Sequence, residues 1–325
     1  MSLSTNNHSR YAIGVDLGGT KIAAVLLARS GAVIAHEQIA TGAHLGAGEV
    51  TTRIAAMVNR LCRDLGDSVA GVGIGSPGQV DSDHGVVYQA SNLAWDEVEL
   101  ARDVQAGLEC AMPVWLQKDA NAEALGEYLF GAARGCENFV YLGLGTGLGC
   151  GIMADGRLIT GHSWGAGELG HLVLDPDGYP CACGGYGCAE TVVSGRGVIN
   201  VARDYLQRGQ FSTGLMDADL SSSSDLVSAA RAGDPLALAV IDRCATWLGI
   251  LLANCAATLN PERIVIGGGF GRTTFDLLIP GAKAEMKRRT HSVSHNQLDI
   301  VPSALRSSAV GAACIVWQGL DQSKN

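Results

Sequence analysis

Two short stretches limit what this chain can fold into. Residues 14–21 read Gly-Val-Asp-Leu-Gly-Gly-Thr-Lys and lie between apolar runs at 11–15 and 22–28. Short apolar runs that are partly β-branched read as buried strands, and a Gly-rich reversal between two of them makes a hairpin. The turn also carries an acid, a hydroxyl and an amine. Glycines let backbone N–H groups approach an anion closely, and a run of such groups forms a phosphate-binding nest. Gly18, Gly19, Thr20 and Lys21 are therefore candidate phosphate contacts, and Asp16, at the strand end, is placed to hold a metal ion or its water. Residues 139–153 repeat the pattern around Gly145-Thr146-Gly147. Two alike strand–turn–strand units, one in each half of the chain, suggest two similar lobes. Facing each other across a cleft, such hairpins would grip a nucleoside triphosphate.

The alternative for either turn is an ordinary Gly-rich hairpin. It is not a Walker loop, because Thr20 stands where the lysine must be. A second phosphate motif is a decoy. Gly73, Gly75 and Gly78 match G-x-G-x-x-G, with Asp96 about where a ribose acid would stand, but Pro77 and the polar stretch 81–85 do not open a helix.

Length allows two domains: 325 residues suffice for two substantial cores. With 47% hydrophobic and 17% charged residues the chain reads as compact rather than disordered. A net charge of -9 argues against a nucleic-acid surface. No uninterrupted apolar run reaches membrane-spanning length, and the polar residues 1–10 lack the apolar core of a signal peptide. Ten cysteines without such a leader point to a reducing, cytoplasmic compartment.

Along the first half, strands are expected at 11–15, 22–28, 33–39, 69–74 and 114–116, and helices at 49–65, 97–108 and from 118 to about 130. Asn92 and Trp95 read either as a loop before a helix or as a polar and an aromatic group at a cleft wall. Asp119, at a strand–helix junction, is a helix cap or a carboxylate pointed into a cleft. In the second half, helices are expected at 195–207, 225–231, 235–259 and 304–317, with strands at 263–266 and 300–301. Gly267, Gly268 and Gly269 end a strand at a sheet edge, a usual place for a nucleotide's base and ribose, although a plain strand–helix turn would look similar. No linker rich in Pro, Ser or charge separates the halves.

Cys181, Cys183 and Cys188, with His171 ten residues upstream of the first, have the residue types of a tetrahedral zinc site. Free thiols or a redox pair are the alternatives. The other seven cysteines are scattered singly and read as core residues.

Taken together, these residues closely resemble the ROK family of bacterial sugar kinases (repressors, open reading frames, kinases). The matching stretches are 16–21, Gly75-Ser76-Pro77-Gly78, Asp119-Ala120-Asn121-Ala122, 145–149, Glu168-Leu169-Gly170-His171, the Cys181/Cys183/Cys188/Glu190 block and 266–269. They span residues 11–315 in family order. The resemblance implies an α/β, two-lobed actin-like ATPase (ribonuclease H-like) fold with an interlobe cleft. The small lobe would be 1–120, rejoined by a C-terminal helix at about 304–325. The large lobe would be 121–303, with the zinc loop.

The same resemblance makes Asp119 the general base and Asn92, Glu168, His171 and Glu190 the sugar contacts. It makes His171, Cys181, Cys183 and Cys188 the ligands of a structural Zn²⁺. Repressors of the family carry an N-terminal helix-turn-helix domain, and about ten residues before the first strand leave no room for one, so a kinase is expected. Its partners would be a small sugar and ATP, with Mg²⁺, and neither nucleic acid nor membrane; a homo-oligomer, dimer or tetramer, is expected. Glucose is the expected acceptor, with N-acetylmannosamine, N-acetylglucosamine and fructose as alternatives. A non-catalytic sugar sensor is the other class, and a cytoskeletal actin-like ATPase is disfavoured by Glu168, His171 and the cysteine block. One position departs from the family. Lys118 stands where the family has a sugar-binding Asn, and an ammonium only donates hydrogen bonds. It can reach the sugar, fold back on Asp119 or turn to solvent.

Overall fold

A computed structural model of the chain describes residues 10–322 other than 64, 66 and 67. The signal-peptide reading falls on residues 1–10, nearly all outside the described ones. The chain divides into two compact units, one of 1–135, 158–166 and 304–325, the other of 136–157 and 167–303.

The first unit is built on β1 (Tyr11–Leu17), β2 (Lys21–Ala28), β3 (Val33–Ala40), α1 (Ala47–Leu61) and β4 (Val69–Ser76). It continues through β5 (Gln79–Asp81), β6 (Val86–Ala90), β7 (Trp95–Val98), α2 (Leu100–Ala106), β8 (Val114–Lys118) and α3 (Asp119–Phe130). The second holds β9 (Phe139–Leu144), β10 (Leu148–Ala154), β11 (Arg157–Leu158, at its edge), α4 (Gly195–Arg208), α5 (Ser223–Arg231) and α6 (Pro235–Leu259). It ends with β12 (Arg263–Gly267), α7 (Gly269–Arg289), α8 (Ser292–Gln297) and β13 (Asp299–Pro302), after which α9 (Ser308–Gln322) belongs to the first unit.

The two large sheets are topological copies. One runs β3-β2-β1-β4-β8, the other β11-β10-β9-β12-β13. In each, a Gly-turn hairpin pairs antiparallel and its first strand then pairs parallel with a strand that arrives later in the chain. Both Gly turns thus sit beside the C-terminal ends of parallel strands, where open α/β sheets bind ligands.

Helix α9 lies directly on its sheet. A methyl group at Gly14 would stand 2.0 Å from the Ala309 carbonyl oxygen, and one at Gly73 2.0 Å from that of Ala312. Only glycine permits this approach. The buried carboxylate of Glu127 fixes the chain entering α9, accepting from the backbone N–H groups of Ala132, Ala304 and Leu305. The first unit therefore continues past residue 120 to Gly135, because α3 packs on α9.

In the second unit the core gathers on α6. Asp234 caps it by accepting from Ala237 N, and Pro235 opens it. By length and composition α6 could cross a membrane, but its apolar window is 67% buried in the protein.

Some sequence expectations give way. The helix expected at 97–108 starts only at Leu100, because residues 95–98 pair with β6 in a small third sheet, β5-β6-β7. Helix α7 is masked in the sequence by Gly269, Gly271 and the internal Pro280. The G-x-G-x-x-G decoy behaves as expected: after β4 the chain turns into β5 rather than a helix. Among the seven scattered cysteines, Cys110 is exposed and the others are buried.

Candidate active site

In the first unit, the β1–β2 turn is held rigidly. Gly18 N donates to Lys21 O at 3.0 Å. Thr41, fully buried, donates its hydroxyl to Gly18 O at 2.6 Å and its N–H to Thr20 O at 3.0 Å. Asn92, in a short 3₁₀ turn (Ser91–Leu93), backs onto the same loop: a methyl at Gly19 would meet its carbonyl oxygen at 2.9 Å.

Asp119 is the first residue of α3, and its Oδ1 accepts from Ala120 N at 2.6 Å. Glu123 lies one turn further along the same helix face. Both carboxylates lie close enough to Asp16 for their charges to act on it. Burial first, then the charges of Glu123 and Asp119, push the Asp16 carboxyl from 3.8 up to about 7, with Lys21 pulling the other way. Crowded acids beside a nest of backbone N–H groups suit a divalent cation carrying phosphate oxygens. Lys118 stands at the N-cap position of α3, without a side-chain capping bond, and is 8% exposed, so it does not turn to solvent. Its N–H and the Asn121 amide both donate to Gln117 Oε1 at 3.0 Å, which locks the strand–helix junction.

The second unit carries the other half of the expected residues. The Gly145-Thr146-Gly147 turn is closed by Gly145 N donating to Gly147 O at 2.9 Å. It forms one wall of a cavity of about 810 Å³, lined also by Arg196, Asn200, Ser222, Gly269 and Phe270. Gly268, with φ +74°, turns the end of β12 into α7, and Gly269 leaves its side of the cavity open. Gly267 ends β12. Glu168 precedes the 3₁₀ turn that carries His171, and Glu190 accepts from Leu148 N at 2.9 Å.

The ligand atoms of His171, Cys181, Cys183 and Cys188 all lie within 4.8 Å of one another. Cys183 and Cys188 Sγ are 3.7 Å apart, and Cys181 Sγ is 3.6 Å from His171 Nδ1. Tetrahedral zinc with ordinary bond lengths has S···S edges of about 3.8 Å and S···N edges of about 3.6 Å, so the donor set fits that ion. Burial and the neighbouring thiols push the Cys188 thiol up to about 12, whereas hydrogen bonds from the Gly185 backbone and the Cys181 thiol pull the Cys183 thiol down. Coordination through Nδ1 would leave Nε2–H of His171 to donate elsewhere.

Each expected residue thus lies with others of its kind within its own unit. Asp16, Gly18, Gly19, Thr20, Lys21, Asn92, Lys118 and Asp119 belong to the first; the Gly145 and Gly267 turns, Glu168, Glu190 and the Cys/His cluster belong to the second. Sequence reasoning misses Glu123, Thr41 and the cavity residues Arg196 and Ser222. Only Glu123 carries a local signal, its spacing of four from Asp119.

The ROK family model matches residues 12–318. The chain belongs to the ROK family. Its relatives fall on both sides of that family. A glucokinase of Halalkalibacterium halodurans is 38% identical, over 83% of this chain and 84% of its own. A solved ROK glucokinase from Streptomyces griseus, in complex with glucose and AMPPNP, is 32% identical with a TM-score of 0.78, covering 95% of this chain and 100% of its own. A solved ROK transcriptional regulator, a homologue of E. coli MLC, is 29% identical with a TM-score of 0.85, covering 97% of this chain and 79% of its own. The two copied sheets are those of the actin-like ATPase fold that ROK kinases share.

Proposed function

We propose that this ROK protein is an ATP- and Mg²⁺-dependent hexose kinase with glucose as its acceptor. The observation that carries the reading is the crowding of Asp16, Asp119 and Glu123 beside the β1–β2 turn. Phosphoryl transfer needs a positioned base and a metal site, and sugar sensing needs neither. Asp119 would take the proton of the acceptor hydroxyl as its oxygen attacks the γ-phosphorus. The bond from that phosphorus to the β–γ bridging oxygen breaks, and ADP leaves with its electron pair. Asp16 and Glu123 would hold Mg²⁺, which would supply neutralisation of the phosphate charge. The turns at Gly18–Lys21 and Gly145–Gly147 would receive the phosphates, and the cavity beside Gly269 the nucleoside.

Asn92, Lys118, Glu168, His171 and Glu190 would contact the sugar. His171, Cys181, Cys183 and Cys188 would hold a structural Zn²⁺; with four protein ligands it has no open position for water. Similarity to the glucokinases supports glucose over the acylated hexosamines and fructose.

The likeness to the MLC homologue favours a second reading, a sugar-responsive regulator without turnover. A coupled ADP-release assay over a hexose panel, run beside sugar-binding calorimetry, separates the two. A kinase turns over the sugar it binds; a regulator binds sugar and releases no ADP.

A further inference from the structure

Glu190 follows the last cysteine of the cluster by two residues, yet its carboxylate is engaged with the β9–β10 turn. Oε2 accepts from Leu148 N at 2.9 Å. A methyl at Gly147 would lie 2.2 Å from the same oxygen, so the carboxylate fills the space that residue 147 leaves open. The segment carrying Glu190 is itself pinned. Ala189 N donates to Leu172 O at 2.9 Å, and Thr191 donates N–H and hydroxyl to Cys188 O at 3.0 and 2.7 Å. Ser194 Oγ donates to Glu190 O at 2.8 Å and accepts from Gly197 N at 2.9 Å, starting α4. The first N–H groups of that helix, on Gly195 and Arg196, donate to Gly145 O and Thr146 O at 2.8 and 3.2 Å. The turn is therefore held through Leu148 by Glu190 and through two carbonyls by α4. Both supports hang from one segment, 188–197, whose first residue belongs to the Cys/His cluster.

We propose that Glu190 is a positioning residue for the donor nucleotide: its carboxylate transmits the geometry of the Cys/His loop to the backbone of Gly145–Leu148. This rests on the reading of that turn as a nucleotide site and extends it. Oε2 supports the turn, and Oε1 is left for other contacts. Nucleotide affinity then depends on the reach and acceptor character of residue 190 even when no sugar is present.

The test is calorimetric titration of Mg-AMPPNP without sugar, on the full chain, for wild type, Glu190→Gln, Glu190→Asp and Glu190→Ala. Gln keeps an acceptor oxygen at the same reach; Asp keeps the charge but is one methylene short. We expect Gln within about threefold of wild type, and Asp and Ala at least about tenfold weaker. Near-UV circular dichroism shows which variants are folded, and if Ala is not, the Gln–Asp comparison decides. Equal affinity for Gln and Asp, or for all four proteins, overturns the proposal. Stripping the metal with a chelator is expected to weaken wild type and leave folded Glu190→Ala unchanged; equal losses in both would contradict transmission through Glu190. Absence of nucleotide binding by wild type would instead refute the nucleotide reading on which the proposal stands.

Discussion

Asp119→Asn exchanges one oxygen for nitrogen and removes one charge. The fold should tolerate it. The hydrogen bond that Asp119 makes to Ala120 N uses a single oxygen, which the Asn carbonyl retains. The stability change should stay within about 1 kcal/mol, the worth of one ordinary hydrogen bond. Catalysis should not tolerate it, because an amide cannot take a proton from the sugar hydroxyl. Losing a positioned general base costs about 10²–10⁴-fold, or roughly 2.7–5.4 kcal/mol in the barrier. The assay is coupled ADP release at saturating hexose and ATP, with nucleotide affinity measured separately and expected to change little. A variant retaining more than about a tenth of wild-type kcat would reduce Asp119 to a helix cap. A second reading comes from the charge itself. Asp119 is one of the groups raising the Asp16 carboxyl to about 7, so Asp119→Asn should let it fall toward 3.8. An unmoved Asp16 titration, followed by carboxyl-carbon NMR, would contradict the crowding on which the site is built.

The metal-free protein should lose stability as pH rises from about 4 to 7, because the folded state holds the Asp16 proton up to about 7 and the unfolded chain releases it near 3.8. The loss is at most about 4 kcal/mol, and saturating Mg²⁺ should lessen it; denaturant midpoints across that range that do not fall would contradict this. Protein purified without added metal should contain one zinc per chain, and Cys183→Ser should lower thermal stability; a zinc-free protein of full stability and activity rules the metal site out. Lys118→Asn should change kcat/KM unequally across hexoses, by at least about tenfold for one sugar, or about 1.4 kcal/mol in the transition state. A uniform response would show that Lys118 does not touch the acceptor.

Much of the fold is legible in the sequence, for physical reasons that can be named. Both Gly turns announce themselves because strand periodicity, glycine and polar chemistry coincide within a few residues, and their duplication points to two alike sheets. The Cys/His cluster is legible because its four residues lie close together in the chain, between 171 and 188. What escapes depends on pairing through space. Residues 97–98 look helical until β6 pairs with residues 95–98. Thr41 reaches Gly18 across 23 residues and carries no local mark. Glu123 shares a face with Asp119 on a helix the sequence already announces, but its action on Asp16 is a contact through space. Glu190 reads as a sugar contact by resemblance alone, and its bond to Leu148, 42 residues away, needs the coordinates.

The most direct measurement is ADP release by the purified wild-type chain with Mg-ATP and a panel of hexoses, each product identified by mass. Sugar-dependent turnover is expected, highest with glucose and abolished by removing Mg²⁺. Glucose binding by calorimetry with no ADP released, under the same conditions and for every sugar tested, would show a sensor rather than a kinase.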